Sequence, residues 1–212
     1  MKNTTIASIL IIIVSFMIAG YAYQTIDEDK IATHWNAQGN VDDYSGKFWG
    51  LFLFPIILVI MYLLFLLIPK IDPLKKNIKK FRKQYDLFIL VMLSYASYVF
   101  ILMILFNYGF QFNMAAMMIP ALSLLFFYLG TFMKNIKRNW FIGIRTPWTI
   151  SDDEVWRKTH LLGAKLFRIS SIIIFLSIFF QKYFMWFLFV PLMITVIWLM
   201  IYSYVEYKKI KR

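Results

Sequence analysis

Six long apolar runs dominate the sequence, at residues 5–23, 48–68, 87–106, 114–133, 169–180 and 183–203. Most of them reach the roughly 20 residues that an α-helix needs to cross about 30 Å of hydrocarbon. Strands of a membrane barrel would be about 10 residues long and would alternate in polarity, which these runs do not. Only 16% of the residues are charged, whereas water-soluble domains carry about 25%. The sequence therefore predicts an all-α, polytopic membrane protein with six transmembrane helices.

The fifth run is the shortest of the six. It reaches the length of a full span if the helix begins upstream and includes the apolar residues between Leu161 and Phe167. Lys165 and Arg168 would then extend their charged ends toward the cytoplasmic interface while their aliphatic stems stay in the apolar layer.

The basic residues predict the orientation of the spans, because Lys and Arg remain on the cytoplasmic side. One of them precedes the first span, seven lie between spans two and three, eight lie between spans four and five, and four follow span six. The opposite side holds only Lys30, Lys47 and Lys182. Both termini are therefore predicted to be cytoplasmic. The first outer loop is acidic through Asp27, Glu28, Asp29, Asp42 and Asp43.

The first apolar run has two interpretations. Lys2 and the small residues Gly20 and Ala22 would also suit a cleaved signal peptide. The stretch of about 17 apolar residues is long for a signal peptide, so we expect an uncleaved first span. Three segments follow from the six spans: a two-helix module with the acidic outer loop (1–70), a basic loop with helices 3 and 4 (71–133), and a second basic loop with an interfacial helix and helices 5 and 6 (134–212).

Composition argues against several classes of function. The chain has no cysteine, which excludes disulfides and thiolate chemistry. His34 and His160 are predicted on opposite sides of the membrane, so they cannot share a metal or a catalytic dyad. No nucleophile–base cluster is recognisable near either interface, so we expect no enzymatic activity, no cofactor and no metal site. The net charge of +12 is distributed over cytoplasmic loops, so the expected partner is the lipid bilayer and not nucleic acid.

The first outer loop contains a run of polar and aromatic residues from Thr33 to Lys47. Gly39 and Asn40 favour a turn, and tryptophan and tyrosine rings favour the membrane interface, so a structured cap is predicted. His34 is interpreted as a surface imidazole beside acidic neighbours, in preference to a metal ligand. The candidate functional residues of this loop are His34, Trp35, Asn36, Gly39 and Asp42.

The second cytoplasmic loop carries Ser151 followed three residues later by Glu154, the spacing of a capping box. This pattern predicts a helix that begins at Asp152 and lies in the interface before it enters the membrane. Capping also accounts for Asp152, Asp153 and Glu154 better than acid–base or metal chemistry does. Arg145 near Trp148 suits a phosphate, a lipid or a peptide carboxylate, although membrane anchoring is the more general role of such a tryptophan.

Residues 139–156 closely resemble the signature of the SdpI family of bacterial immunity membrane proteins. The matching positions are Asn139, Gly143, Arg145, Thr146, Pro147, Trp148 and Trp156. The outer Thr33-His34-Trp35-Asn36 sequence, with Gly39, Asp42 and Lys47, is similar to the N-terminal module of longer members. The resemblance implies a protein of the cytoplasmic membrane that protects the cell from a secreted toxin peptide. It also implies that a transcriptional repressor is held at the inner face of the membrane.

A small transporter or exporter of a peptide or lipid is the alternative function. Ion-coupled transport usually requires an ionisable group inside the membrane, and the centres of these six runs contain none. The resemblance and the missing charges together favour binding and signalling.

Overall fold

The computed structural model describes residues 2–210, and over this range it forms eight α-helices, one two-stranded sheet and two 3-10 turns. The helices are α1 (Lys2–Thr25), α2 (Lys47–Ile71), α3 (Lys75–Lys80), α4 (Arg82–Asn107), α5 (Met114–Met133), α6 (Pro147–Ser151), α7 (Asp153–Leu176) and α8 (Phe184–Ile210). The strands β1 (Lys30–Trp35) and β2 (Val41–Gly46) follow α1, and the 3-10 turns Ser177–Phe179 and Gln181–Tyr183 join α7 to α8.

Six of the helices in residues 2–210 are long and apolar enough to cross a membrane, namely α1, α2, α4, α5, α7 and α8. The shortest of them, α5, has 20 residues and spans about 30 Å at 1.5 Å per residue. Large apolar side chains such as Leu63, Leu124 and Ile194 are more than half exposed on their surfaces. Contact of such side chains with lipid tails costs no free energy, whereas their contact with water is unfavourable. The prediction of a six-span, all-α membrane protein is confirmed.

The first of two compact units contains the residues up to Leu66 together with Asp86–Met118. Its core consists of small residues on α1 and larger apolar residues on the hairpin, α2 and α4: Ala19, Ala22, Ile26, Ile31, Leu51, Phe100, Met103 and Ile104. The small side chains permit close helix packing, and the hydroxyls of Ser15 and Ser97 lie 3.3 Å apart across the contact.

The second unit contains Leu67–Tyr85 and the residues from Ile119 onward. Its most extensive helix contact joins α7 and α8, where Ser170 Oγ and Thr195 Oγ1 lie 3.2 Å apart. Ser123 on α5 donates to the carbonyl of Ser171 at 2.7 Å. These buried hydroxyl contacts connect α5, α7 and α8 into one packed body.

The outer loop forms a β-hairpin, which agrees with the predicted structured cap and its turn at Gly39 and Asn40, although the strands themselves were not predicted. Lys30 pairs with Gly46 and Trp35 pairs with Val41, and two irregularities in the register lie between these ends. Ile31 and Ala32 of β1 are buried, whereas β2 is largely exposed. The hairpin belongs to the first unit, and β1 therefore packs against the helices of that unit.

The predicted capping box of Ser151 and Glu154 is wrong by one residue. Asp152 is the N-cap, and its Oδ1 accepts two backbone N–H groups, including that of Glu154 at 2.7 Å. The helix begins at Asp153, and Ser151 ends α6 by donating to the carbonyl of Trp148. A carboxylate that accepts two N–H groups is a stronger cap than a hydroxyl. The segment predicted to lie in the interface and the fifth span form one uninterrupted helix.

Candidate functional site

A buried asparagine organises the signature loop, which we define as residues 139–149. Asn139 is fully buried. Its Oδ1 accepts the N–H groups of Phe141 and Ile142 at 3.0 and 2.7 Å. Its Nδ2 donates to the carbonyls of Lys137 and Ile142, each at 2.9 Å. One side chain thus replaces the backbone hydrogen bonds that an irregular loop lacks.

His160 on α7 supports the middle of the signature loop. Its Nε2 accepts the N–H of Ile144 at 3.0 Å, and its Nδ1 donates to the carbonyl of Trp156 at 2.8 Å. These two bonds together require a neutral imidazole with its proton on Nδ1. The His160 and Trp156 rings stack with centroids 4.0 Å apart, and Trp156 Nε1 donates to the carbonyl of Ile136 at 2.9 Å.

Gly143 lies directly against this imidazole. Its φ is +108°, a conformation that favours glycine, and a side chain at this position would collide with His160 Nε2. On α7, a Cβ at Gly163 would lie 2.6 Å from Ile144 Cδ1, so the side chain of Ile144 would have to shift. Side chains of the loop and of α7 therefore pack closely against glycines of the other segment.

The signature loop ends in the N-terminal cap of α6. Thr146 Oγ1 accepts the N–H of Thr149 at 3.2 Å, and Thr149 Oγ1 accepts the N–H of Thr146 at 2.9 Å. Pro147 occupies the first turn of α6, where its missing N–H costs nothing. The hydroxyls of Thr146 and Ser203 lie 3.0 Å apart. Thr146 and Thr149 therefore form a capping box at α6 that the sequence analysis did not predict, and Thr146 ties the loop to α8.

Arg145 and Trp148, which the sequence analysis considered together, each contact a different residue. Arg145 is exposed, and its guanidinium donates to the carbonyl of Trp140 at 2.7 Å. Trp148 is half-buried, and its ring lies 5.0 Å from that of Tyr204 on α8. Of the signature residues, the buried Asn139, Thr146 and Trp156 thus support the loop from inside. Arg145 remains at its surface.

Asp72 and Asn77, which both precede α4, hold the signature loop in place. The sequence analysis did not predict either contact. Asp72 is buried, and its two carboxylate oxygens accept the N–H groups of Leu74 at 2.6 Å and of Trp140 at 2.9 Å. Asn77 on α3 donates to the carbonyl of Arg138 at 2.9 Å. An aspartate directly before Pro73 is a turn signal, so the local bond was predictable. The bond to Trp140 joins residues 68 positions apart and has no sequence signal.

The acidic residues around the start of α7 are engaged in ion pairs that the capping interpretation missed. Asp153 lies 2.8 Å from Arg138, and Glu154 lies 2.6 Å from Arg157. Glu206 on α8 is buried and lies 2.9 Å from Lys158. Only Asp152 of the three acids therefore acts as a cap. Ion pairs link the beginning of α7 to the end of α8.

In the first unit, the turn of the hairpin is built by Asn36. Its Oδ1 accepts the N–H groups of Gln38 at 3.0 Å and of Asn40 at 3.1 Å. Gly39 is buried with a φ of +82°, and a side chain there would collide with the amide of Asn113. The turn therefore requires both an asparagine and a glycine.

The remaining outer-loop candidates lie along the hairpin. His34 is 68% exposed at its side chain and lies 2.5 Å from Asp42, which confirms a surface imidazole beside an acidic neighbour. Trp35 packs edge-on against Phe106 with centroids 5.3 Å apart. Asn107 anchors β1 by accepting the N–H of Ala32 at 2.9 Å and donating to its carbonyl at 3.0 Å. Sequence reasoning missed Asn107, since it lies 75 residues from its partner.

A half-open groove of about 640 Å³ lies between the hairpin and the turn that joins α4 to α5. Aromatic walls and side-chain amides line it, including Tyr44, Phe106, Phe112, Gln111 and Asn113. Asn113 also donates to the carbonyl of Gln38 at 2.7 Å, which fixes one end of the groove to the hairpin. Such a surface offers apolar contact and backbone-like hydrogen bonding together. Among residues 2–210, no group of three His, Cys, Asp or Glu residues is placed to hold a metal ion.

Six apolar spans and basic loops define an integral, multi-pass protein of the cell membrane. The signature loop specifies the class further. Residues 135–203, which include this loop, α7 and most of α8, match the SdpI/YfhL protein family. Residues 10–59, which include the hairpin, match a domain of unknown function, DUF1648.

A curated relative extends the similarity over the whole chain. The immunity protein SdpI of Bacillus subtilis (strain 168) is 26% identical over 206 residues, which cover 97% of this chain and 96% of the relative. No solved structure matches the chain. The predicted resemblance to the SdpI family is therefore confirmed, and it includes the N-terminal module.

Proposed function

We propose that this protein is an immunity protein of the cell membrane, which protects the cell from a secreted, membrane-active toxin peptide by binding it and not by chemical conversion. The observation that carries the proposal is the extent of the similarity to an immunity protein, which covers 97% of the chain. Both the hairpin and the signature loop lie within this match. A shared single motif would support a common fold only.

The groove beside the hairpin is the proposed receiving surface for the peptide. Its aromatic walls suit apolar side chains, and its amides suit a peptide backbone. Asp42 and Asp43 are exposed on the adjoining strand β2. Exposed carboxylates raise the local concentration of a basic peptide and increase its association rate. The preferred ligand is therefore a cationic peptide with apolar side chains.

The exposed part of the signature loop is the proposed contact for a transcriptional repressor in the cytoplasm. Trp140 is 47% exposed, Phe141 is 37% exposed, and Arg145 lies beside them. Aromatic and arginine side chains contribute most of the binding energy in protein interfaces. The hydrogen-bonded interior of the loop would hold these three side chains in one arrangement. The binding surface would then be present before a repressor binds.

The proposed function is tested by measuring whether the protein protects cells from a toxin peptide. Sensitive bacteria that express the protein, and matched cells that do not, are challenged with a series of secreted membrane-active peptides. We expect survival at peptide concentrations that kill the cells without the protein. Binding of the labelled protective peptide to the purified protein, measured without any energy source, distinguishes an immunity protein from an exporter. Protection without such binding would favour export.

A further inference from the structure

A cavity of about 420 Å³ lies in the second unit beside the start of α7. It is bordered by the end of α3, by the segment that follows α5, and by the first two turns of α7. The groove proposed for the toxin lies in the other unit and shares no lining residue with it. Neither the proposed toxin contact nor the proposed repressor contact accounts for this cavity.

The cavity has a surplus of positive charge. Five basic residues line it, against two carboxylates: Lys80, Lys134, Lys137, Arg138 and Arg157 against Asp153 and Glu154. Both carboxylates are already paired with the two arginines, at 2.8 and 2.6 Å. His160 is neutral by its hydrogen bonds, so it adds no charge. The surplus of three charges therefore belongs to the three lysines.

These lysines are available to a ligand. Lys80, Lys134 and Lys137 are exposed, and within residues 2–210 none of them has an ion pair. Three ammonium groups around one concave surface attract a multiply charged anion more strongly than any single group does. Phosphate is the common biological anion that lysine binds as a point charge.

Three further lining residues are apolar and buried. Met133, Ile136 and Trp156 border the cavity, and each of them is less than a tenth exposed. A free inorganic anion gains nothing from such a wall. An anion that carries an apolar group gains from both parts of the cavity.

The cavity also lies at the level of the membrane boundary. Met133 ends the span formed by α5, and Asp153 begins the span formed by α7. The side is the predicted cytoplasmic one, where anionic lipids attract basic residues and basic pockets between helices bind phosphate headgroups.

We propose that this cavity binds the phosphate headgroup of an anionic phospholipid, with Lys80, Lys134 and Lys137 around the phosphate and Met133, Ile136 and Trp156 against the adjoining apolar part of the lipid. The proposal is independent of the immunity function. Lipid binding is measured on the purified protein, and protection is measured on cells, so either can fail alone.

The test compares two triple variants that remove the same charge from the same predicted face. The first carries Lys80→Gln, Lys134→Gln and Lys137→Gln, and the matched control carries Lys75→Gln, Lys76→Gln and Lys79→Gln, three exposed lysines of α3 that do not line the cavity. Native mass spectrometry measures how much phosphatidylglycerol or phosphatidylcholine each purified protein retains. In a third arm, thermal unfolding of the parent is measured with inorganic phosphate alone and with phosphatidylglycerol.

We expect the parent and the control variant to retain phosphatidylglycerol in preference to phosphatidylcholine. The cavity variant should retain it about tenfold to a hundredfold less, since each lysine near an anionic surface contributes roughly fivefold. Replacing the three cavity lysines by arginine should preserve retention. If the triple glutamine variant does not fold, Lys137→Gln alone should lower retention about fivefold.

Three results would overturn the proposal. Equal losses in the cavity and control variants would show a general attraction to the basic face. Equal retention of phosphatidylcholine would show that the headgroup charge is not recognised. Stabilisation of the parent by inorganic phosphate to the same extent as by phosphatidylglycerol would assign the cavity to a free anion.

Discussion

The carboxylate of Asp72 accepts the backbone N–H of Trp140 at 2.9 Å, across 68 residues of sequence. The same carboxylate accepts the N–H of Leu74 at 2.6 Å. Asp72 therefore fixes the segment that follows α2 and the beginning of the signature loop with one buried side chain. A bond of this kind makes the loop part of the helical body of the second unit.

Replacing Asp72 by alanine should destabilise the protein, because both N–H groups lose their acceptor. The expected loss is about 2–3 kcal/mol of unfolding free energy, since hydrogen bonds to charged groups are stronger than neutral ones. Thermal unfolding in detergent measures the change. Asp27→Ala serves as the control, since Asp27 is exposed. An unchanged melting temperature in the Asp72 variant would contradict the role assigned to this carboxylate.

Replacing Gly143 by alanine should open the signature loop. The new methyl group meets His160 Nε2, and the φ of +108° is unfavourable for alanine. Together these effects should cost about 1–3 kcal/mol. Gly20→Ala is the matched control, because a Cβ at Gly20 meets no atom within 4 Å. If both variants unfold at the same temperature as the parent, the close contact between Gly143 and His160 is not required.

Replacing His160 by phenylalanine should preserve much of the ring stacking on Trp156 but remove the acceptor for the N–H of Ile144. The unsatisfied N–H should cost about 1–3 kcal/mol locally. Hydrogen exchange at Ile144, followed by mass spectrometry on peptides from the loop, should therefore accelerate. Peptides from α1 provide an internal control and should exchange as in the parent. Unchanged exchange at Ile144 would argue against support by His160.

The six spans could be predicted from the sequence because lipid imposes a simple requirement. A helix that crosses hydrocarbon must be about 20 residues long and apolar, and both properties are visible without any knowledge of packing. The fifth span illustrates the limit of this reasoning. Its apolar run is short, and the helix begins at Asp153, where a capping aspartate and not hydrophobicity sets the boundary.

The two loops were predictable only in part, because their structures depend on contacts between distant residues. Gly39 indicated a turn in the sequence, and the structure shows a positive φ both there and at Gly143. The partners that fill the space beside them, Asn113 and His160, lie far along the chain and could not be assigned. The contact of Trp148 on α6 with Tyr204 on α8 could not be predicted for the same reason.

Removing the acidic side chains of β2 should weaken protection against a cationic toxin. The variant Asp42→Asn with Asp43→Asn removes two negative charges beside the groove. The control variant, Asp27→Asn with Glu28→Gln, removes two negative charges outside the hairpin. Because electrostatic steering changes association rates about tenfold or more, we expect the first variant to be about tenfold more sensitive in a survival assay. Equal sensitivity of the two variants at matched membrane levels would show that the acidic residues beside the groove do not contribute to toxin binding.

The most direct measurement of the central claim is the survival curve of sensitive cells with and without the protein, over a range of concentrations of secreted membrane-active peptides. We expect at least one peptide to kill the cells without the protein and to spare those that express it, and this peptide should also bind the purified protein. Identical survival curves for every peptide, with the protein present in the membrane, would contradict an immunity function.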